Sequence, residues 1–130
     1  MRIKLTSVMV DDQDKALKFY TEILGFRKKR EIPMGPYKWL TVYAPDGYPD
    51  VELSLEPNAN PAGKTFQAAM FEQKIPVAAF EVVDIAAEAA RLKGLGVVFV
   101  QDPMQAGPVK IATISDTCGN LLQLYQPPTV

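Results

Sequence analysis

Few side chains in this chain can do chemistry, and each is a polar residue interrupting an apolar run. Glu52 stands in "DVELSLE" (50–56), Glu81 in "VAAFEVV" (77–83) and Gln123 in "NLLQLYQ" (120–126). A carboxylate at such a position can act as a base or as an oxygen donor to a hard cation. A glutamine offers a ligand one donor pair and one acceptor. Histidine is absent altogether, which removes the commonest general base and the commonest transition-metal ligand together. The lone Cys118 sits in a turn with no basic neighbour in sequence to activate it. No glycine-rich phosphate loop, nucleophile elbow or CxxC pair is present.

Plainer roles compete with these. Gln123 can be a solvated residue near a strand end, or the hydrogen-bond partner of Glu52. Glu52 is one of four acidic residues in "DVELSLE" and its flank, and can lie on a wetted sheet face. Glu81, among small apolar residues, needs a partner such as Lys110, open solvent, or a raised pKa. "RKKR" (27–30) is the only basic cluster. On a strand its charges divide between both faces, which reads as a solvated edge in preference to a nucleic-acid patch.

Composition sets the frame around these residues. A chain of 130 residues with 48% hydrophobic content fits one domain (1–130) with a real core. A net charge of −1 provides no field to gather nucleic acid or an anionic membrane. No apolar run reaches the ~18 residues of a membrane span. A single cysteine accords with a reducing, cytoplasmic setting.

The elements that must position the polar residues follow from periodicity and turn residues. "KLTSVMV" (4–10) reads as a strand. "DDQDKALKFYTEILG" follows as a helix over 13–24, with Asp11 or Asp12 as N-cap and Gly25 as the stop. Strands are expected at 26–32, 38–44 and 50–56, divided by "PMGP" and "PDGYP". "PNANPAG" (57–63) reads as a linker and 64–73 as a short helix. The pattern then restarts: a strand at 77–83, a helix at 85–96 capped by Asp84, and strands at 97–101, 109–115 and 120–126.

Both halves are therefore βαβββ: module one (1–56), a connector (57–76) and module two (77–127). Asp12 matches Asp84 at an offset of 84 − 12 = 72, and Ala44 matches Ser115 at 115 − 44 = 71. Two such units, neither able to bury a sheet face alone, should pack as a pseudo-twofold pair. The fold class is α+β, with helices on the outer face and eight strands curving into a cup. Side-chain alternation assigns Ile3, Leu5, Ser7 and Met9, together with Val77, Ala79 and Glu81, to the cup. Trp39, Thr41, Tyr43, Glu52, Gln123 and Tyr125 join them, and the 71-residue offset adds Lys110 as the counterpart of Trp39. Such a lining, apolar and aromatic with a few polar groups, is that of a small-molecule site.

The phrases "VDDQDKALKFYTEILGF" (10–26), "AAFEVVDIAAEAARLKGLGV" (78–97) and "DTCGNLLQLYQ" (116–126) carry a resemblance to the vicinal oxygen chelate superfamily. This group includes the glyoxalase, bleomycin-resistance and extradiol-dioxygenase families. The resemblance spans nearly the whole chain and implies paired βαβββ modules, often dimeric, holding a metal or ligand in the cup. It also implies four metal-ligand positions, which fall here at Leu5, Glu52, Val77 and Gln123. Leu5 and Val77 cannot bind metal, and the two remaining oxygen donors suit at best a hydrated ion such as Mg²⁺. The expectation is thus a cup without a resident metal or other cofactor that binds a small molecule. The rival is a metal-dependent lyase, isomerase or dioxygenase of glyoxalase type, with Glu52 and Gln123 as remnant ligands and Glu81 as a base. Phe66, Met70 and Phe71 on the connecting helix are expected to be covered by a second copy, making a homodimer.

Overall fold

Turn and capping residues cut the chain where the sequence places them. The computed structural model describes residues 1–129; residue 130, the last of the expected single domain, lies outside the described residues. Strand β1 (Leu5–Val10) leads into α1 (Gln13–Lys18), whose N-cap Asp12 accepts a hydrogen bond from the Lys15 amide. The helix continues as a wider π turn over Phe19–Ile23, not as the single α-helix expected to 24, and the wider turn keeps the consecutive Phe19 and Tyr20 rings both inside. Strands β2 (Arg27–Met34), β3 (Tyr37–Tyr43) and β4 (Glu52–Pro57) complete module one.

Helix α2 (Pro61–Glu72) begins three residues before the expected 64. Asn60 caps the Ala62 amide and Pro61 occupies the first turn, where a missing N–H costs nothing. Module two follows as β5 (Ala78–Glu81), α3 (Ile85–Gly94), β6 (Phe99–Ala106), β7 (Val109–Ser115) and β8 (Leu121–Gln126). β6 outruns the expected 97–101. It carries Pro103 on the outer edge of its sheet, where a residue without a donor is tolerated, and its register with β7 slips twice nearby.

The strand orders are β1-β4-β3-β2 and β5-β8-β7-β6, the same order twice. In each sheet the first and last strands of the module pair in parallel and the rest are antiparallel. Equivalent register positions give the true repeat. Leu5 opposite Glu52 corresponds to Val77, whose amide bonds the Leu121 carbonyl. Thr41 opposite Ser54 corresponds to Thr113 opposite Gln123. The offset is 72 for the first and third strands (113 − 41) but 69 for the last (123 − 54).

One core unites the modules. Val8, Val10, Leu40, Val42 and Leu55 of module one share a cluster with Leu92, Ala112, Ile114, Leu122 and Leu124 of module two. Phe26 meets Phe80 edge-on at 5.2 Å, and the Tyr20 hydroxyl donates to Asp116 Oδ2 at 2.7 Å. The opposite faces of the open, cup-like sheets carry the exposed apolar residues Leu5, Ile32, Trp39 and Met104. Among the described residues no helix is long and apolar enough to cross a membrane.

Candidate functional site

The polar floor of module one is built around Glu52. β4 turns Leu53 and Leu55 into the core, so Glu52, Ser54 and Glu56 face the cup, beside Leu5, Ser7 and Met9 of the paired β1. Glu52 Oε1 accepts from the buried Thr41 hydroxyl at 2.7 Å and from Arg30 Nε at 2.9 Å. Its side chain is only 12% exposed, so it is not a wetted sheet residue. Burial alone would raise its pKa. The Thr41 and Arg30 hydrogen bonds, with the charges of Arg30 and Lys29, outweigh burial and hold it below the usual carboxylate value. An ionised, hydrogen-bonded glutamate is a poor proton acceptor at neutral pH.

Arg30 reaches this position through a β-bulge. The β2–β3 register slips between Lys28 and Arg30, leaving Lys29 unpaired. A bulge breaks strict alternation and re-aims side chains. Consecutive cations therefore both address the aromatic face of β3: Lys29 Nζ lies 5.5 Å from the Tyr43 ring centre, and the Arg30 guanidinium 4.9 Å from that of Trp39. The expected division of "RKKR" between two faces does not hold at these two residues. Nothing in the strand's composition marks a bulge, so both cations were missed as site residues.

The remaining candidates divide between the sheets. Ser7 donates to Glu56 at 3.3 Å. Met9 packs against α2 at Gly63, where an added Cβ would stand 3.4 Å from its sulfur. In module two, Gln123 and Tyr125 face the same way as their β5 partners Ala79 and Glu81. Gln123 is half-buried and has no side-chain hydrogen bond among the described residues, so it is not the partner of Glu52. Glu81 is exposed and forms no ion pair with Lys110.

Lys110 is a correction. Ala112 and Ile114, on its face of β7, are fully buried in the core. Lys110 instead lines a cleft beside the start of α3 with Asp84, Ile85 and Gln126. The assumed offset of 71 was one residue short for this strand, and a one-residue slip exchanges faces. Ile111 and Thr113 are the cup-facing residues of β7. Matching the core pair Leu40 and Val42 to Ala112 and Ile114 would have found them.

The four metal-ligand positions implied by resemblance also change. By register the counterpart of Gln123 is Ser54, while that of Glu52 is Leu121. The set that follows the fold is Leu5, Ser54, Val77 and Gln123, with no charged donor. Glu52, beside it, already holds a guanidinium, which opposes a cation. This donor set does not fit a divalent metal. Among the described residues no three His, Cys, Asp or Glu side chains cluster.

Cys118 is fully buried. Burial, then the neighbouring Asp116 charge, push its thiol up to about 12, against a lowering contact from Thr117. It is an inert packing residue.

Residues 2–124 match the family model for the Glyoxalase/Bleomycin resistance protein/Dioxygenase superfamily. The chain belongs to this superfamily. Protein YurT of Bacillus subtilis (strain 168) is 49% identical over 126 residues, covering 97% of this chain and 99% of YurT. Among solved structures, UcmS2 superposes with a TM-score of 0.82 at 32% identity, over 96% of this chain and 97% of that one. TnmS3, described as an antibiotic binding protein from Streptomyces sp. CB03234, gives 0.77 at 31% identity, over 98% and 96%.

Proposed function

We propose that this superfamily member binds a small organic molecule on the cup face of its sheets, without a resident catalytic metal. The observation that carries the reading is the Glu52–Arg30–Thr41 floor beneath Trp39 and Tyr43. It is a preformed polar base with aromatic sides, and its carboxylate is already neutralised by an arginine. A floor satisfied in this way has nothing to gain from a metal, and Trp39 above it stays exposed to a ligand. The likeness to TnmS3, an antibiotic binding protein, supports a binding role. Phe66 and Phe71 remain exposed on α2, and a second copy of the chain covering them is part of the proposal.

The test is a melting-temperature screen against a panel of natural products, drugs and metabolites. A ligand at 100 times its Kd stabilises the native state by about 2.7 kcal/mol. At least one compound is expected to raise the melting point of wild type and to lose most of that effect on Trp39→Ala. A panel that shifts nothing, or shifts both proteins equally, contradicts the reading.

A further inference from the structure

We propose that the cup of module one selects an organic anion with a flat, conjugated body, held by Arg30 and Lys29 against Trp39 and Tyr43. The inference rests on the small-molecule reading above and adds the charge and shape of the ligand. Arg30 commits one edge and one face. Its Nε bonds Glu52 Oε1 at 2.9 Å, and its plane lies over Trp39 at 4.9 Å. Its two terminal amines have no partner among the described residues, and the side chain remains 41% exposed. The pair of N–H groups that a guanidinium presents end-on matches the two oxygens of a carboxylate or of an acidic enol beside a carbonyl.

Glu52 is the device that makes this possible. It takes only one edge of the guanidinium, and through Thr41 it is itself fixed to β3. The terminal amines are therefore aimed before a ligand arrives, which lowers the ordering cost of binding. The charge balance favours an anion even with Glu52 ionised. The bulge adds Lys29, whose side chain donates to the Pro49 carbonyl at 3.1 Å and, among the described residues, forms no ion pair. Two cations thus flank Glu52 at the floor, while Asp50 is paired with Lys4 and Glu56, four residues further along β4, accepts from Ser7. The flat body follows from the walls: the exposed parts of Trp39, Leu5 and Ile32, with the half-buried Tyr43, offer aromatic and aliphatic surface beside the two cations, with few groups to pair a branched polar ligand.

Module two lacks the device. The register counterparts of Arg30 and Glu52 are Gln101 and Leu121, so the anion site is confined to module one.

Trp39 is the only tryptophan in the chain, so its indole N–H is a single, site-specific NMR reporter. The probes are 2-naphthoate, the uncharged 2-naphthamide and the cationic 2-naphthylmethylamine, titrated into ¹⁵N-labelled full-length protein. The expected result is that naphthoate moves the indole signal and binds about tenfold or more tighter than the amide, with the amine weakest. Arg30→Gln should bring acid and amide to equal affinity, and Lys29→Gln should narrow the difference while leaving the fold intact. Equal affinity of acid and amide for wild type, with the indole still shifting, overturns the anion assignment and leaves the pocket reading standing. An indole signal that no probe moves at millimolar concentration overturns both.

Discussion

The most exacting consequence of the fold lies at the seam between modules, where Asp116 is fully buried and, among the described residues, makes no ion pair. Its Oδ1 accepts from the Cys118 amide at 2.7 Å and the Asn120 amide at 2.9 Å. Its Oδ2 accepts from the Tyr20 hydroxyl and from Asn120 Nδ2, both at 2.7 Å. Four donors replace the water that burial removes. Tyr20→Phe deletes one of them, leaves three, and opens almost no cavity because the ring stays between Phe19 and Phe26. A hydrogen bond to a charged group contributes about 1.5–3 kcal/mol, and that is the expected loss. Asp116→Ala strands all four donors. Their separate penalties do not add, and the expected cost is about 4–5 kcal/mol, in the range found when one partner of a buried charge network is removed. Urea unfolding measures both losses, with an unchanged m-value showing that only stability has moved. The two substitutions should be strongly non-additive, since Tyr20→Phe has nothing left to lose once Asp116 is gone. If Tyr20→Phe costs less than about 0.5 kcal/mol, the carboxylate is not the clasp described here.

Three further outcomes are expected. Gly119 has φ of +97° and an added Cβ would lie 2.8 Å from Gln67 Nε2, which holds the Met9 and Cys118 carbonyls. Gly119→Ala should therefore cost about 1–3 kcal/mol in urea unfolding. Glu52 has a folded pKa below its unfolded value, so its contribution is present above about pH 4.3 and is lost as pH falls through the folded value. Between about pH 5 and pH 3 wild type should lose more stability than Glu52→Gln, and parallel curves would refute the Arg30–Thr41 anchoring. Gln123→Leu should fold normally, since among the described residues the side chain has no hydrogen-bond partner to strand. It should weaken a ligand that bonds the amide by about 1–3 kcal/mol in calorimetry, without affecting ligands that lack a polar edge.

The fold was legible because its signals are local and repeated. Asp12 and Asp84 cap the same helix twice, and "APDGYPDVEL" and "SDTCGNLLQL" both carry a turn into the last strand of a module. Alternation also separates Leu53 and Leu55, and Leu122 and Leu124, which lie in the core, from the cup-facing residues between them. The site was less legible for two physical reasons. Repeat alignment carries face information only if the offset is right to the residue, and 71 in place of 72 put Lys110 where Ile111 stands. The bulge at Lys29 has no compositional mark, so the Arg30–Glu52 pair that dominates the floor could not be read from "RKKREI". Asp116 reads as an ordinary turn residue; that it meets Tyr20, 96 positions away, is set by how the two modules dock.

The claim that the cup binds organic ligands without a metal is tested most directly by one paired measurement. Protein is purified without chelator, its metal content determined, and the affinity of the best ligand from the melting screen measured before and after exhaustive chelation. Transition metal far below one equivalent and an unchanged affinity are expected. One equivalent of bound metal, with affinity lost on chelation and restored by that metal, would contradict the claim.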